Sequence, residues 1–167
     1  MPFKNPKEVF VKLLTDVRES SERMVKFFNE ITPLVHEPEI KQALEARAFV
    51  YNNMIVTLDQ CFKLIGEQPV KLSGKLRETL IENFREELSE IESPVAKKLF
   101  ILTKLSHVIH LRIGELVALT AAADITGNYA VGVLLESVLA EQLAFVERNR
   151  RFLRNMIETK IAEKVAA

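Results

Sequence analysis

The chain has 167 residues, 48% of them apolar, with 23 basic and 23 acidic side chains and no net charge. That length supports one well-buried core and leaves little for a second domain, so residues 1–167 are expected to form a single helical-bundle domain. The neutral balance excludes a long-range field drawing the chain to nucleic acid or an anionic membrane, and one cysteine, Cys61, excludes an intramolecular disulfide or a cysteine-built zinc cluster.

The amino terminus, Met1 to Pro6, shows no signal-peptide core, and no apolar run reads as membrane-spanning. The expectation is a cytoplasmic protein with neither nucleic acid nor membrane as a partner. Asn5-Pro6 with Glu8 opens the first helix: Asn accepts orphan amide bonds, Pro suits the first turn, and Glu suits the positive helix end. Phe10, Leu14, Val17, Met24 and Phe28 then recur at helical spacing until Pro33. A second helix begins near Pro38-Glu39 and runs through Ala43, Val50, Met54, Leu58 and Cys61 to Ile65, with Gly66 as its cap.

The longest connector runs from Gly66 to Gly74. It leads into a shorter amphipathic helix carrying Leu76, Leu80, Ile81, Phe84 and Leu88, whose acids (Glu82, Glu86, Glu87, Glu90 and Glu92) read as a solvated face. Ser93-Pro94 caps and opens the next helix, which carries Phe100, Leu102, Leu105, Ile109, Ile113, Leu116 and Leu119. Thr126-Gly127-Asn128 breaks it, and a last helix runs from about Tyr129 past Phe152 toward Ile161. Nothing alternates at the strand period for long enough to build a sheet. The chain therefore reads as all-α: an antiparallel four-helix bundle with an additional shorter helix in its long crossover.

The run Leu58-Asp59-Gln60-Cys61-Phe62-Lys63-Leu64-Ile65-Gly66-Glu67-Gln68-Pro69 resembles the end of the second helix in the bacterial YciE/YciF-type ferritin-like family. Pro38-Glu39-Ile40-Lys41 resembles the start of that helix. Gly114, Leu116 and Ala118-Leu119 resemble its third long helix, and Leu134-Leu135, Leu139, Glu141, Ala144 and Glu147 its fourth. The resemblance spans roughly residues 8–150 in one register. It implies a ferritin-like bundle, often dimeric, with a two-metal site of iron or manganese fed by carboxylates and imidazoles from all four long helices.

Carried over position by position, the resemblance implies that most of those ligands are gone. The first-helix Glu falls at Ser21, beside Glu22. The second-helix Glu and His fall at Val50 and Met54, and an earlier His at Arg47. The third-helix carboxylates fall at Ser106 and Ile109, while in the fourth helix Glu141 remains and its neighbour is Gln142. Hydroxyl and thioether groups are poor ligands for a hard divalent ion. The stripe Leu134, Val138, Glu141, Phe145 turns Glu141 inward, so without a metal it needs a partner, and Ser21, Arg47, Ser106 and His107 are the residual polar core positions expected to supply one. The contrary arrangement regroups Glu22, Glu141, Glu147 and His107 around a single ion.

Other chemistry is thinner. His107 and His110 share a helical face but need further ligands. Arg148, Arg150, Arg151 and Arg154 read as a solvated flank, Met54 as core filler and Cys61 as an inert buried thiol. No catalytic or cofactor-binding residue is assigned. The leading expectation is a non-catalytic protein that works by association, as a homodimer. Val108, Leu111, Val131 and Leu135 lie off the apolar stripes and are expected to meet a partner helix. The alternatives are a di-iron or di-manganese oxidase with displaced ligands, and a bundle holding a small apolar ligand at its centre.

Overall fold

The computed structural model describes residues 3–70 and 75–165. Among them are five α-helices and no strand: α1 (Pro6–Ile31), α2 (Pro38–Ile65), α3 (Lys75–Glu90), α4 (Pro94–Ile125) and α5 (Tyr129–Val165), with a 3-10 turn over Thr32–Leu34. The sequence places its breaks correctly at Pro33, Gly66, Pro94 and Gly127. Residues 71–74 of the expected connector, and the side chain of Leu76, lie outside the described residues.

The helix ends follow local chemistry. Asn5 is extended and its side-chain oxygen accepts from the Glu8 amide at 2.9 Å, while the Asn5 amide group donates to the Glu8 carboxylate at 2.9 Å. Ser93 accepts from the Ala96 amide at 3.4 Å and places Pro94 in the first turn. Gly66 ends α2 in the left-handed conformation, φ 70°, which lets the Glu67 amide reach the Phe62 carbonyl at 3.2 Å. Before Pro33 interrupts the amide ladder, the Thr32 hydroxyl donates to the Phe28 carbonyl at 2.6 Å.

Helix α1 packs along α2 and α4 along α5, and the ring closes through α2 with α5 and α1 with α4. The short links between α1 and α2 and between α4 and α5 make those pairs antiparallel. The chain must then cross the bundle from α2 to α4, and α3 rides on that crossing against α4 and α1. This is a ferritin-like four-helix bundle with an added helix in the crossover.

Two apolar clusters fill it. One holds Phe27, Phe28, Leu44, Tyr51, Phe84 and Leu102; the other holds Phe10, Leu14, Met54, Leu58, Leu116 and Leu135. Two expectations are corrected here. Val108, Val131 and Leu135 are buried and Leu111 is half-buried, so these are core residues of one chain and not a partner face. Each four-sided bundle helix buries a wide arc, broader than a single stripe suggests. The second correction concerns α5. Its stretch Tyr129–Phe152 is long and apolar enough to cross a membrane by length and composition, and only 33% of the apolar window is buried.

Candidate functional site

Each of the four long helices carries one fully buried polar residue in an otherwise apolar inward stripe. On α1 the series is Leu14, Val17, Ser21, Met24, Phe28; on α2 it is Leu44, Arg47, Tyr51, Met54, Leu58. On α4 it is Leu105, Ile109, Arg112, Leu116, Leu119, and on α5 Val131, Leu135, Val138, Gln142. Ser21, Arg47, Arg112 and Gln142 are all 0% exposed. Each stands at a three-or-four step where its neighbours are apolar.

Ser21, Arg112 and Arg47 are joined into a central layer through Val17 and Tyr51, and Gln142 lies one turn before Phe145, whose ring meets Arg47. The Arg112 guanidinium donates to the Val17 carbonyl at 3.2 Å and to the Ser20 hydroxyl at 2.8 Å, and pairs with Glu115 at 2.9 Å. The Ser21 hydroxyl donates to the Val17 carbonyl at 2.6 Å and lies 3.4 Å from the Met54 sulfur. Arg47 Cζ lies 4.5 Å from the Tyr51 ring centroid and 4.7 Å from that of Phe145, and Arg112 Cζ lies 5.4 Å from the same Tyr51 ring. Two guanidinium groups thus share one aromatic ring. Such contacts attract charge but supply no in-plane acceptor. Among the described residues, no acceptor reaches Arg47 Nε, Nη1 or Nη2 in hydrogen-bond geometry, and the Gln142 amide is likewise unpaired. Burial pushes the Arg47 pKa down; the Tyr51 oxygen opposes that shift and the Arg112 charge adds to it.

The positions singled out in the sequence divide. Ser21, Arg47, Met54 and Ile109 are buried, whereas Val50 and Ser106 are half-buried at the margin. His107 is exposed, and so is His110, whose Nδ1 donates to the Ser106 carbonyl at 2.8 Å. Glu141 is exposed, which corrects its expected inward direction, and Gln142 points inward instead. The expected stripe and the real one share Val138 and lie about 60° apart around the helix. Because α5 is apolar nearly all round, periodicity alone does not fix its centre. Glu141 therefore needs no buried partner, and the grouping of Glu22, Glu141, Glu147 and His107 does not form. Glu22 pairs with Arg18 at 3.0 Å, and Glu147 with Arg151 at 3.2 Å and Arg150 at 3.4 Å. Among the described residues, no three of His, Cys, Asp and Glu come together in a group that could hold a metal ion.

Arg112 and Gln142 were missed as core positions, although a signal existed: a polar residue midway through an unbroken apolar series. Cys61 is 0% exposed, and burial pushes its thiol up to about 11. At the bundle centre, where an apolar ligand was expected, the side chains of Ser21, Arg47, Arg112 and Gln142 are buried. An apolar cleft of about 670 Å³ lies instead at one end of the bundle, with Ile31, Leu34, Ile40, Leu88 and Ile101 in its wall.

Four long helices in this order, closed on a polar centre by a crossover carrying a fifth, define a ferritin-like bundle. The chain belongs to the family described as Domain of unknown function (DUF892), which it matches over residues 5–166. Solved structures of the same fold include the E. coli stress protein YciF, with 19% identity, a TM-score of 0.87 and coverage of 93% of this chain and 99% of that one. YcfI from Rhodopseudomonas palustris shares 20% identity, with a TM-score of 0.82 and coverage of 88% and 94%. A protein from Xanthomonas campestris shares 18% identity, with a TM-score of 0.72 and coverage of 96% and 99%. At these identities the likeness concerns the fold. No curated protein matches the chain.

Proposed function

We propose that this protein is a non-catalytic, divergent member of its family that works by association, and that its central layer has exchanged a two-metal centre for a cationic one. The observation that carries this reading is the pair of fully buried guanidinium groups, Arg47 and Arg112, in the middle of the bundle. Arginine keeps its proton in proteins. A divalent ion about 5 Å from one guanidinium would be repelled by roughly 7 kcal/mol at an effective dielectric constant of 20. The other inward groups are the Ser21 hydroxyl, the Met54 thioether and the Gln142 amide, which offer no ionised ligand to offset that repulsion. This donor set does not fit a pair of iron or manganese ions, and the reading needs no displaced-ligand oxidase, since Glu22 and Glu147 are engaged in ion pairs with arginines.

Association is supported by the outward faces. On α5, Tyr129, Val133 and Leu143 are exposed, with small Ala140 and Ala144 beside them; on neighbouring α2, Phe49 is 65% and Val56 58% exposed. The same α5 stretch carries exposed Glu136 and Glu141, each of which would cost about 2.5–3.5 kcal/mol at the centre of a bilayer. A second protein helix can meet those carboxylates with polar groups, which a bilayer core lacks, and a second copy of this chain offers the matching small-and-apolar face. The test has two arms. Protein purified without chelator is expected to carry no stoichiometric iron or manganese; two metal ions per chain would overturn the first half. Light scattering at about 50 μM, where weak interfaces populate, is expected to give a dimer that Val133→Glu converts to monomer. A monomeric wild-type mass would overturn the second half.

A further inference from the structure

We propose that the central layer is a binding site for a small monovalent anion of halide size, gripped by Arg47 and Gln142 with Arg112 alongside. The first ground is charge. The buried polar side chains among the described residues are Thr15, Ser20, Ser21, Thr32, Arg47, Arg112 and Gln142, with no acid among them. Glu115, whose side chain is 28% exposed, pairs with Arg112. Arg47 has no acid partner in the layer, and it cannot shed its charge as a buried lysine would. A buried ion without a counter-charge is strongly unfavourable, and the repulsion of a second guanidinium across the Tyr51 ring adds to it.

The second ground is geometry. Arg47 meets the rings of Tyr51 and Phe145 and feels the neutral Tyr51 phenol oxygen, but no anionic acceptor reaches any of its three guanidinium nitrogens. Gln142 lies one turn before Phe145 on the same inward side of α5, is itself 0% exposed, and has an amide nitrogen with no acceptor. Two fully buried donor groups from helices α2 and α5 therefore lack an acceptor, the charged one at Arg47 and the neutral amide of Gln142, whose Oε1 also lacks a donor. One negative charge would neutralise the unmatched guanidinium, whereas a divalent oxyanion would overcompensate it. Arg47, Arg112 and Gln142 are all 0% exposed, so only a small anion fits among them. Chloride satisfies both conditions; formate is the smallest carboxylate that does.

This inference rests on the cationic layer and not on the association face or on measured metal content. It can therefore fail while the light-scattering and metal results stand. The full-length protein is prepared in sodium gluconate, whose anion is too large for a closed layer. Chloride, bromide and formate are then titrated separately at constant ionic strength while thermal unfolding is followed. A saturable rise in Tm of roughly 5 °C is expected for the halides, because a ligand bound only by the folded state stabilises it. A rise with formate alone would assign the site to a carboxylate and overturn the halide proposal. Arg47→Met is expected to fold in gluconate and to lose the halide response. Should that variant fail to fold, Gln142→Leu is expected to move the halide midpoint to higher concentration. Crystals grown in bromide are expected to show an anomalous peak against Arg47 and Gln142. Identical Tm values in bromide and gluconate, a variant that responds like wild type, or bromide only at the surface would each overturn the proposal.

Discussion

In the aromatic end of the bundle, Phe27 and Phe84 meet edge to face with centroids 4.9 Å apart, and Phe28 meets Tyr51 at 5.6 Å. Other inward positions of the four long helices carry Ser21, Arg47, Arg112 and Gln142. Both regions exclude water completely, yet opposite physics governs them. In the aromatic end every atom removed from water contributes to stability, and shape is the only constraint. In the central layer burial is unfavourable and must be offset group by group through partners. Arg112 has them in Val17, Ser20 and Glu115, whereas Arg47 has two ring faces.

The comparison can be broken most decisively at Phe28, which is fully buried in the aromatic end. Phe28→Ala is expected to destabilise the fold by about 3–5 kcal/mol in chemical denaturation, through lost transfer energy and the cavity left behind. A loss below about 1 kcal/mol would mean that this end is not close-packed. The central layer should answer with the opposite sign. Arg47→Met, measured in gluconate, is expected to be neutral or stabilising by up to about 4 kcal/mol, because an unmatched buried charge is replaced by an apolar chain of similar length. A marked destabilisation there would show that Arg47 has a compensating partner in the folded protein.

The smallest effect belongs to Cys61 in the second apolar cluster. Its thiol is held up to about 11, from an ordinary 9.0, because the thiolate is denied solvation. The folded state therefore keeps this proton at pH values where the unfolded chain has lost it. Stability from this group is complete below about pH 9 and falls as pH rises toward 11, with a loss on the order of 1 kcal/mol by pH 10. Thiol trapping at pH 8 should accordingly be slow in native protein and fast in urea, and the Cys61→Ala variant should lack this alkaline component. Rapid trapping of the native thiol would place Cys61 at the surface.

Helix order and helix ends were legible because their causes are local. Asn5, Ser93, Gly66 and the prolines act on amides and carbonyls within a few residues of themselves. Burial was more legible where a helix has one clearly apolar side, as on α1 and α2: Ser21 and Arg47 are fully buried, although Val50 is only half-buried. On α5 that contrast vanishes: Val133 and Leu143 on the outer face are as apolar as Leu135 and Val138 on the inner one. The direction of Glu141 was therefore undetermined by its own helix. The positions of Val108 and Val131 likewise depended on how many neighbours surround each helix.

The number, order and limits of the helices follow from consecutive residues, since capping and periodicity act within a turn or two. Membership of the central layer follows from packing between helices. Whether Glu141 or Gln142 turns inward depends on how α5 is rotated against α2 and α4. That rotation is set by packing the whole bundle at once, because the free energy of burying either face of so apolar a helix differs little until the neighbouring side chains are in place.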